Sequence, residues 1–256
     1  MGFLVYNKMS FFYMEEISLK AEEIFKIGSF GITNSLAMSL LVFGLLVLGA
    51  FLLKKNLKII PSKIQSLVEM AMETFLGLME SILGNRQKAE KYFPFVATIF
   101  IFIFISNLLG IFPGVGSFII KEGSKEIPLL RSPASDLNFT LALAIVSVVV
   151  TNLMGIASLG FFKHVGKYFN FKGPIEFFIG ILELVSETAK MISLSFRLFG
   201  NVFAGEVLLI IIFGLAPYVA PVPFLFLELF VGFIQSFVFA MLTLVALSLH
   251  TVEHEE

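Results

Sequence analysis

The chain has 256 residues, of which 57% are hydrophobic and only 14% are charged. A soluble globular protein carries about 45–50% apolar and about 25% charged residues, so this composition is that of an integral membrane protein. The 18 basic and 19 acidic residues nearly cancel, which leaves no basic field for binding nucleic acid. With no cysteine and three histidines, the sequence predicts no disulfide, no metal site and no cofactor.

Charge-free windows predict where the chain crosses the membrane, because a crossing helix needs about 20 apolar residues. Three such windows are residues 27–53, 92–120 and 137–162, and residues 1–26 before them are expected to lie outside. Two further helices are predicted at residues 174–215 and 224–250. Several prolines lie between these two helices and cannot continue a helix, so they predict a hairpin.

Residues 62–84 differ from the predicted spans because they are amphipathic. At about 100° per residue, one face carries apolar side chains, and Glu69, Glu73 and Glu80 lie on the opposite face. This pattern predicts a helix along the membrane surface, with packing on other protein as the alternative. The predicted fold is therefore an all-α integral membrane protein with five membrane-crossing helices and one interfacial helix.

Basic residues in short loops predict the orientation of the chain. Seven lysines and arginines lie between the first two spans, and three lysines without an acidic residue follow the third. Both segments are therefore expected in the cytoplasm. Five crossings then leave the N-terminus outside and the C-terminus in the cytoplasm.

One face of the first hairpin arm carries a polar stripe. At about 100° per residue, Glu187, Lys190, Arg197 and Asn201 fall on it. An ionised side chain at the centre of a membrane helix costs about 2.5–3.5 kcal/mol, so such charges indicate function. Arg197 is the strongest candidate, because its guanidinium cannot lose a proton. Glu187 and Lys190 could instead be a simple neutralising pair.

Further polar residues are candidates for a proton path. Glu206 lies off the stripe, and Glu228 and Gln235 are two turns apart on the second arm, where they can meet the first. A carboxyl group in an apolar setting is suited to gaining and losing a proton. Asn107 could equally be a helix–helix contact, and Asp136 a helix N-cap.

Two histidines near the C-terminus, His250 and His254, are four residues apart. Their order is not that of the zinc-protease motif. We expect this tail to be solvated.

Residues 193–206, with the sequence SLSFRLFGNVFAGE, closely resemble the signature of subunit a of the F-type rotary ATP synthase. Lys190, the NLLG sequence at 107–110 and residues 233–243 stand in the order typical of that family. The resemblance covers about residues 60–248 and is closest to bacterial members.

The resemblance implies an ion-channel stator subunit that is not an enzyme on its own. Protons would pass through two offset half-channels to and from the carboxylates of a ring of small proteolipid c subunits, and Arg197 would separate the half-channels. The hairpin would lie against this rotor ring. The implied proton path comprises Asn201, Glu206, Glu228, Gln235, Lys190, Glu187, Asn107 and Asp136.

The implied partners are the c ring, peripheral-stalk b subunits, membrane lipid and, indirectly, the F1 catalytic sector. The implied location is the bacterial plasma (inner) membrane. The alternatives are an ion-coupled secondary transporter and a membrane scaffold. A transporter would show inverted repeats, which the sequence does not reveal, and a scaffold would not need Arg197, Glu206 and Glu228 within the membrane.

Overall fold

A computed structural model describes residues 21–27, 30–112, 115, 119–122, 125–168, 173–216 and 218–251. Most of the predicted external segment 1–26, and His254, lie outside the described residues. The described helices are α1 Asn34–Lys55, α2 Lys63–Leu83, α3 Arg86–Ile111, α4 Leu137–Leu159, α5 Phe161–Gly166, α6 Pro174–Leu215 and α7 Pro221–Thr251. Two short antiparallel pairs join β1 Glu23–Ile27 to β2 Phe30–Thr33, and β3 Ile119–Glu122 to β4 Lys125–Pro128.

Five of the described helices, α1, α3, α4, α6 and α7, are long and apolar enough to cross a membrane. The remaining long helix, α2, is the amphipathic one. The prediction of an all-α membrane protein with five crossing helices is therefore confirmed.

The first two crossing helices are displaced from the charge-free windows. Helix α1 begins at Asn34 rather than 27, because β2 occupies the apolar residues before it. The hydroxyl of Thr33 caps α1 by accepting a hydrogen bond from the Leu36 N–H at 3.3 Å. Helix α3 runs over Arg86–Ile111 rather than 92–120. The helix begins among charged residues, which a charge-free window excludes. At the other end the predicted window was too long, because it included apolar residues of β3 that are not part of the helix.

The remaining crossings lie closer to their predicted bounds. Helix α4 ends at Leu159, before Gly160, whose φ of 87° is rarely adopted by residues with a side chain. Helix α6 spans 174–215 as the sequence predicts. Helix α7 starts at Pro221 instead of 224, because proline is tolerated in the first turn of a helix.

Helix α2 has both of its ends capped. The side chain of Ser62 accepts a hydrogen bond from the Gln65 N–H at the start. Gly84, at φ 68°, adopts the left-handed conformation that ends the helix. Beyond it, Arg86 contacts Glu73 and Glu80 of α2 and Glu90 of α3 at 2.8–3.6 Å. This ion-pair cluster fixes the turn between α2 and α3.

The described residues group into two compact units, where the sequence suggests one membrane domain. The first unit comprises the described parts of 1–43, 103–140 and 196–236, and the second those of 44–102, 141–195 and 237–256. Each of the five crossing helices contributes residues to both. The second unit has a core of eight buried apolar residues from α2, α3 and α7, namely Met79, Leu83, Ala89, Tyr92, Val96, Ala240, Leu244 and Leu247.

Candidate functional site

Arg197 lies on α6 with its side chain exposed, whereas Leu198 and Val202 on the same helix are buried. The exposed side also carries Asn201, Gly200 and Ala204. A Cβ atom added to Gly200 would meet nothing within 4 Å in this chain. The protein's own packing therefore does not require a glycine there, and a helix of another chain could approach α6 closely beside Arg197.

Asn201 and Gln235 connect the two hairpin arms within the first unit. The Asn201 side-chain amide donates a hydrogen bond to Oε1 of Gln235 at 2.9 Å. Gln235 is only 3% exposed, and its own Nε2 is buried without a hydrogen-bond partner among the described residues. The contact thus places a buried polar group next to the exposed side of α6.

The carboxylates of Glu206 and Glu228 form a second polar site in the first unit. Oε1 of Glu228 lies 2.8 Å from where a Cβ on Gly205 would be, so this carboxylate packs against the backbone beside Glu206. Each glutamate has a buried Oε2 without a hydrogen-bond partner in the described part of the chain. Because residue 205 is a glycine, there is space for the carboxylate of Glu228 on the second arm to approach the first arm.

Arg131 is the counter-charge of this site, and the sequence pattern did not single it out. Its Nη2 lies 3.6 Å from Oε2 of Glu206, and its Nε donates to the Ser135 hydroxyl at 3.1 Å. Its pairing with Glu206 depends on the fold and leaves no local signal in the sequence.

The contacts of Asn107 and Asp136 favour structural roles. The Asn107 amide donates to the Gly232 carbonyl at 3.2 Å and lies 3.4 Å from the Ser236 hydroxyl, so it joins α3 to α7. Asp136 accepts hydrogen bonds from the Asn138 N–H at 3.0 Å and from the Ser35 hydroxyl at 2.7 Å. These are the contacts of a helix cap that also ties α4 to α1.

Glu187 and Lys190 belong to the second unit. Glu187 is 5% exposed, and its Oε1 accepts a hydrogen bond from Nζ of Lys190 at 2.6 Å. The neutralising pair therefore exists, but it is not isolated. Nε2 of His250 lies 3.3 Å from the same oxygen, outside the alignment of a hydrogen bond, and Asn152 donates to Oε2 at 3.5 Å.

The expectation that the C-terminal histidines are solvated is wrong for His250, which is 2% exposed. Helix α7 continues to Thr251, so His250 is a helical residue packed in the second unit rather than part of a free tail. Among the described residues, no group of three or more His, Asp or Glu side chains could hold a metal ion.

Comparison with known proteins identifies the family. A family model described as ATP synthase A chain matches residues 35–248. The "ATP synthase subunit a" of Campylobacter jejuni (strain 81-176) is 36% identical over 82% of this chain and 86% of its own length. The protein of that name from Moorella thermoacetica is 34% identical over 87% of this chain and 92% of its own length. The chain therefore belongs to the family of subunit a of the F-type ATP synthase.

Proposed function

We propose that this chain is the stator subunit that passes protons to and from a rotating ring of small c subunits, with Arg197 between two offset half-channels. The observation that carries the proposal is the exposed Arg197 on a crossing helix, beside Gly200 and Ala204. A permanent cation exposed on a membrane helix attracts a group of opposite charge. A ring carboxylate supplies that charge, and the small residues allow its helix to come close.

Electrostatics gives this arrangement its direction. A ring carboxylate is attracted to the Arg197 guanidinium only when ionised, and it enters lipid at low cost only when protonated. Each carboxylate therefore exchanges a proton on either side of Arg197 as the ring turns. A charge that falls through 100 mV releases about 2.3 kcal/mol, which drives the step.

Two groups of residues are suited to carry protons on the two sides. Glu206 and Glu228, with the Asn201–Gln235 contact, would form the inlet. Each carboxylate there has an unsatisfied oxygen, and Arg131 balances one charge. Glu187 and Lys190 would form the outlet. Their hydrogen bond keeps a proton acceptor and a proton donor in contact within a buried site.

Location and partners follow from the same proposal. The chain would lie in a bacterial plasma membrane with its N-terminus outside and its C-terminus in the cytoplasm, as the lysine-rich segments indicate. It would contact the c ring through α6 and α7 and be held by b subunits, with F1 acting on it only indirectly. Asn107 and Asp136 would support the site through the helix contacts described above.

Purification of the chain from its own membranes tests this function against that of a secondary transporter. We expect it to be isolated together with a ring of proteolipids of two crossing helices each. The complex, reconstituted in vesicles, should make ATP when a proton gradient is imposed. Isolation of a chain that transports a solute by itself, without a ring, would contradict the proposal.

A further inference from the structure

Two buried histidines face each other in the second unit and have no role in the function proposed above. His164 on α5 and His250 on α7 are each 2% exposed, and their ring centroids lie 5.4 Å apart. Gly155 on α4 makes room for the pair. A Cβ there would lie 2.7 Å from Cε1 of His164 and 3.0 Å from Cβ of His250.

The hydrogen bonds of His164 identify which ring nitrogen is free to accept a proton. Nε2 of His164 lies 3.0 Å from Oδ1 of Asn152, and the Tyr168 hydroxyl donates to the same oxygen at 2.9 Å. An amide oxygen only accepts, so Nε2 carries the hydrogen. In the neutral ring Nδ1 therefore holds the lone pair, and it is buried with no hydrogen-bond partner among the described residues.

Glu187 connects this pair to the proposed outlet. Its Oε1 is shared between Lys190 at 2.6 Å and Nε2 of His250 at 3.3 Å, and Asn152 reaches its other oxygen. A carboxylate, His250 and His164 thus follow one another in a buried, polar region of the second unit.

The charges around the pair allow it one proton but not two. Glu187 and Lys190 neutralise each other, and burial with Glu187 and Glu183 raises the pKa of Tyr168 to about 12, so Tyr168 stays neutral. Burial, His250 and Lys167 together hold the pKa of His164 below its ordinary value, against the attraction of Glu187. A first proton gives the cluster a net positive charge, and a second would meet its repulsion.

We propose that His164 and His250 form a proton-binding site that exchanges protons between Glu187 and the aqueous side of the outlet. A proton that arrives on the Glu187 carboxylate passes to Nε2 of His250. This restores the carboxylate beside Lys190 and forms an imidazolium. The imidazolium then loses a proton to water, either directly or through Nδ1 of His164, and both rings return to the neutral state. The inference rests on the proposed function, because it assumes that Glu187 lies on the proton path.

The test uses the assembled complex in vesicles from which the catalytic head has been removed. Passive proton flux is measured as a function of pH on the head side for wild type, His164→Gln and His250→Gln. Because the pKa of His164 is held below the ordinary imidazole value of 6.5, we expect the wild-type flux to change with pH below this value. Each variant should lose this dependence. Its flux should fall by about 10²-fold or more, since a positioned proton-transfer group contributes about 10²–10⁴-fold.

Asn152→Asp keeps the shape of the site. It provides a second test if a histidine variant fails to assemble into the complex. The added carboxylate next to Nε2 of His164 should favour the protonated pair and move the flux midpoint to higher pH by about one unit or more. His254→Gln is the matched control and should keep the wild-type profile. An unmoved midpoint in Asn152→Asp, or a profile flattened equally by His254→Gln, would overturn the proposal.

The outcome is separable from that of the proposed function. If Arg197→Ala abolishes coupled ATP synthesis while both histidine variants retain the wild-type flux and pH profile, the proton-binding site is wrong and the stator function stands. If Arg197→Ala leaves synthesis intact, the stator function itself is wrong.

Discussion

Single residues differ in how much of their role can be predicted from sequence. Arg197, Glu206 and Glu228 are recognisable because an ionisable residue within an apolar helix is expensive and rare. Arg131, Asn152 and His164 are not recognisable, because their importance depends on contacts with residues far along the chain. Arg131 meets Glu206, 75 positions away, only through the fold.

The paired carboxylates of the proposed inlet lead to a first prediction. Glu206→Gln with Glu228→Gln should slow proton uptake from the outside by about 10²-fold or more, because glutamine retains the shape but cannot bind and release a proton. Uptake is measured in vesicles by potential-driven and ATP-driven transport. Glu69→Gln, a change of an exposed glutamate of α2, is the control and should transport normally. Wild-type rates in the double variant would refute a proton relay at this site.

Whole elements were predicted well where the sequence carries strong stop signals. Pro174 starts α6, and Ser62 with Gly84 bounds α2, so the predicted and observed bounds agree within one residue. The predicted bounds of α3 differ from the observed ones, because a charge-free window finds only the part of a helix that lies in the apolar membrane layer. The helix itself can continue through charged residues into water. The strand pairs β1–β2 and β3–β4 were missed, because short apolar strands next to an apolar span look like part of it.

Helix α2 is predicted to lie along the cytoplasmic membrane surface. The chain has no cysteine, so a single introduced cysteine is the only residue of the chain that a thiol reagent can label. Cysteines at Glu69 and Glu73, both exposed, should react with membrane-impermeant reagents added to the cytoplasmic side. A cysteine at Met79, which is fully buried, should not react. Labelling from the outside only would show that both the orientation and the surface position are wrong.

The Arg86 cluster gives the α2–α3 turn a predictable pH dependence. The hydrogen bond from Arg86 lowers the pKa of Glu73 below its ordinary value of 4.5. A lowered folded-state pKa stabilises the fold above pH 4.5, and this contribution is lost as the pH falls through the lowered value. Hydrogen exchange should therefore show loss of protection in α2 under acid.

Arg86→Gln removes the partner that lowers the pKa of Glu73. In this variant the protection of α2 should be weaker near neutral pH and should change less on acidification. Lys88→Gln, an exposed change in the same segment, should behave as wild type. An acid profile of Arg86→Gln that matches wild type would mean that this cluster does not hold the turn.

For the whole molecule, composition and charge-free windows are sufficient to predict a membrane protein with five crossing helices. The family could be recognised from one segment, 193–206, because its sequence closely resembles the family signature. Grouping into two units was not predictable, because it depends on tertiary contacts that leave no local pattern. At this scale we expect Arg197, by its permanent charge, to keep two proton half-channels apart and to tie proton flow to rotation.

The most direct test of this claim is to measure gradient-driven ATP synthesis and passive proton conductance together in vesicles that hold the assembled Arg197→Ala complex. Lys88→Ala removes an exposed cation outside the site, and this control should synthesise ATP. Alanine at position 197 would let water connect the half-channels and let a ring carboxylate pass while protonated. We expect no ATP synthesis, and passive proton conductance once the head is removed. Near-normal synthesis by Arg197→Ala would show that Arg197 does not have this role.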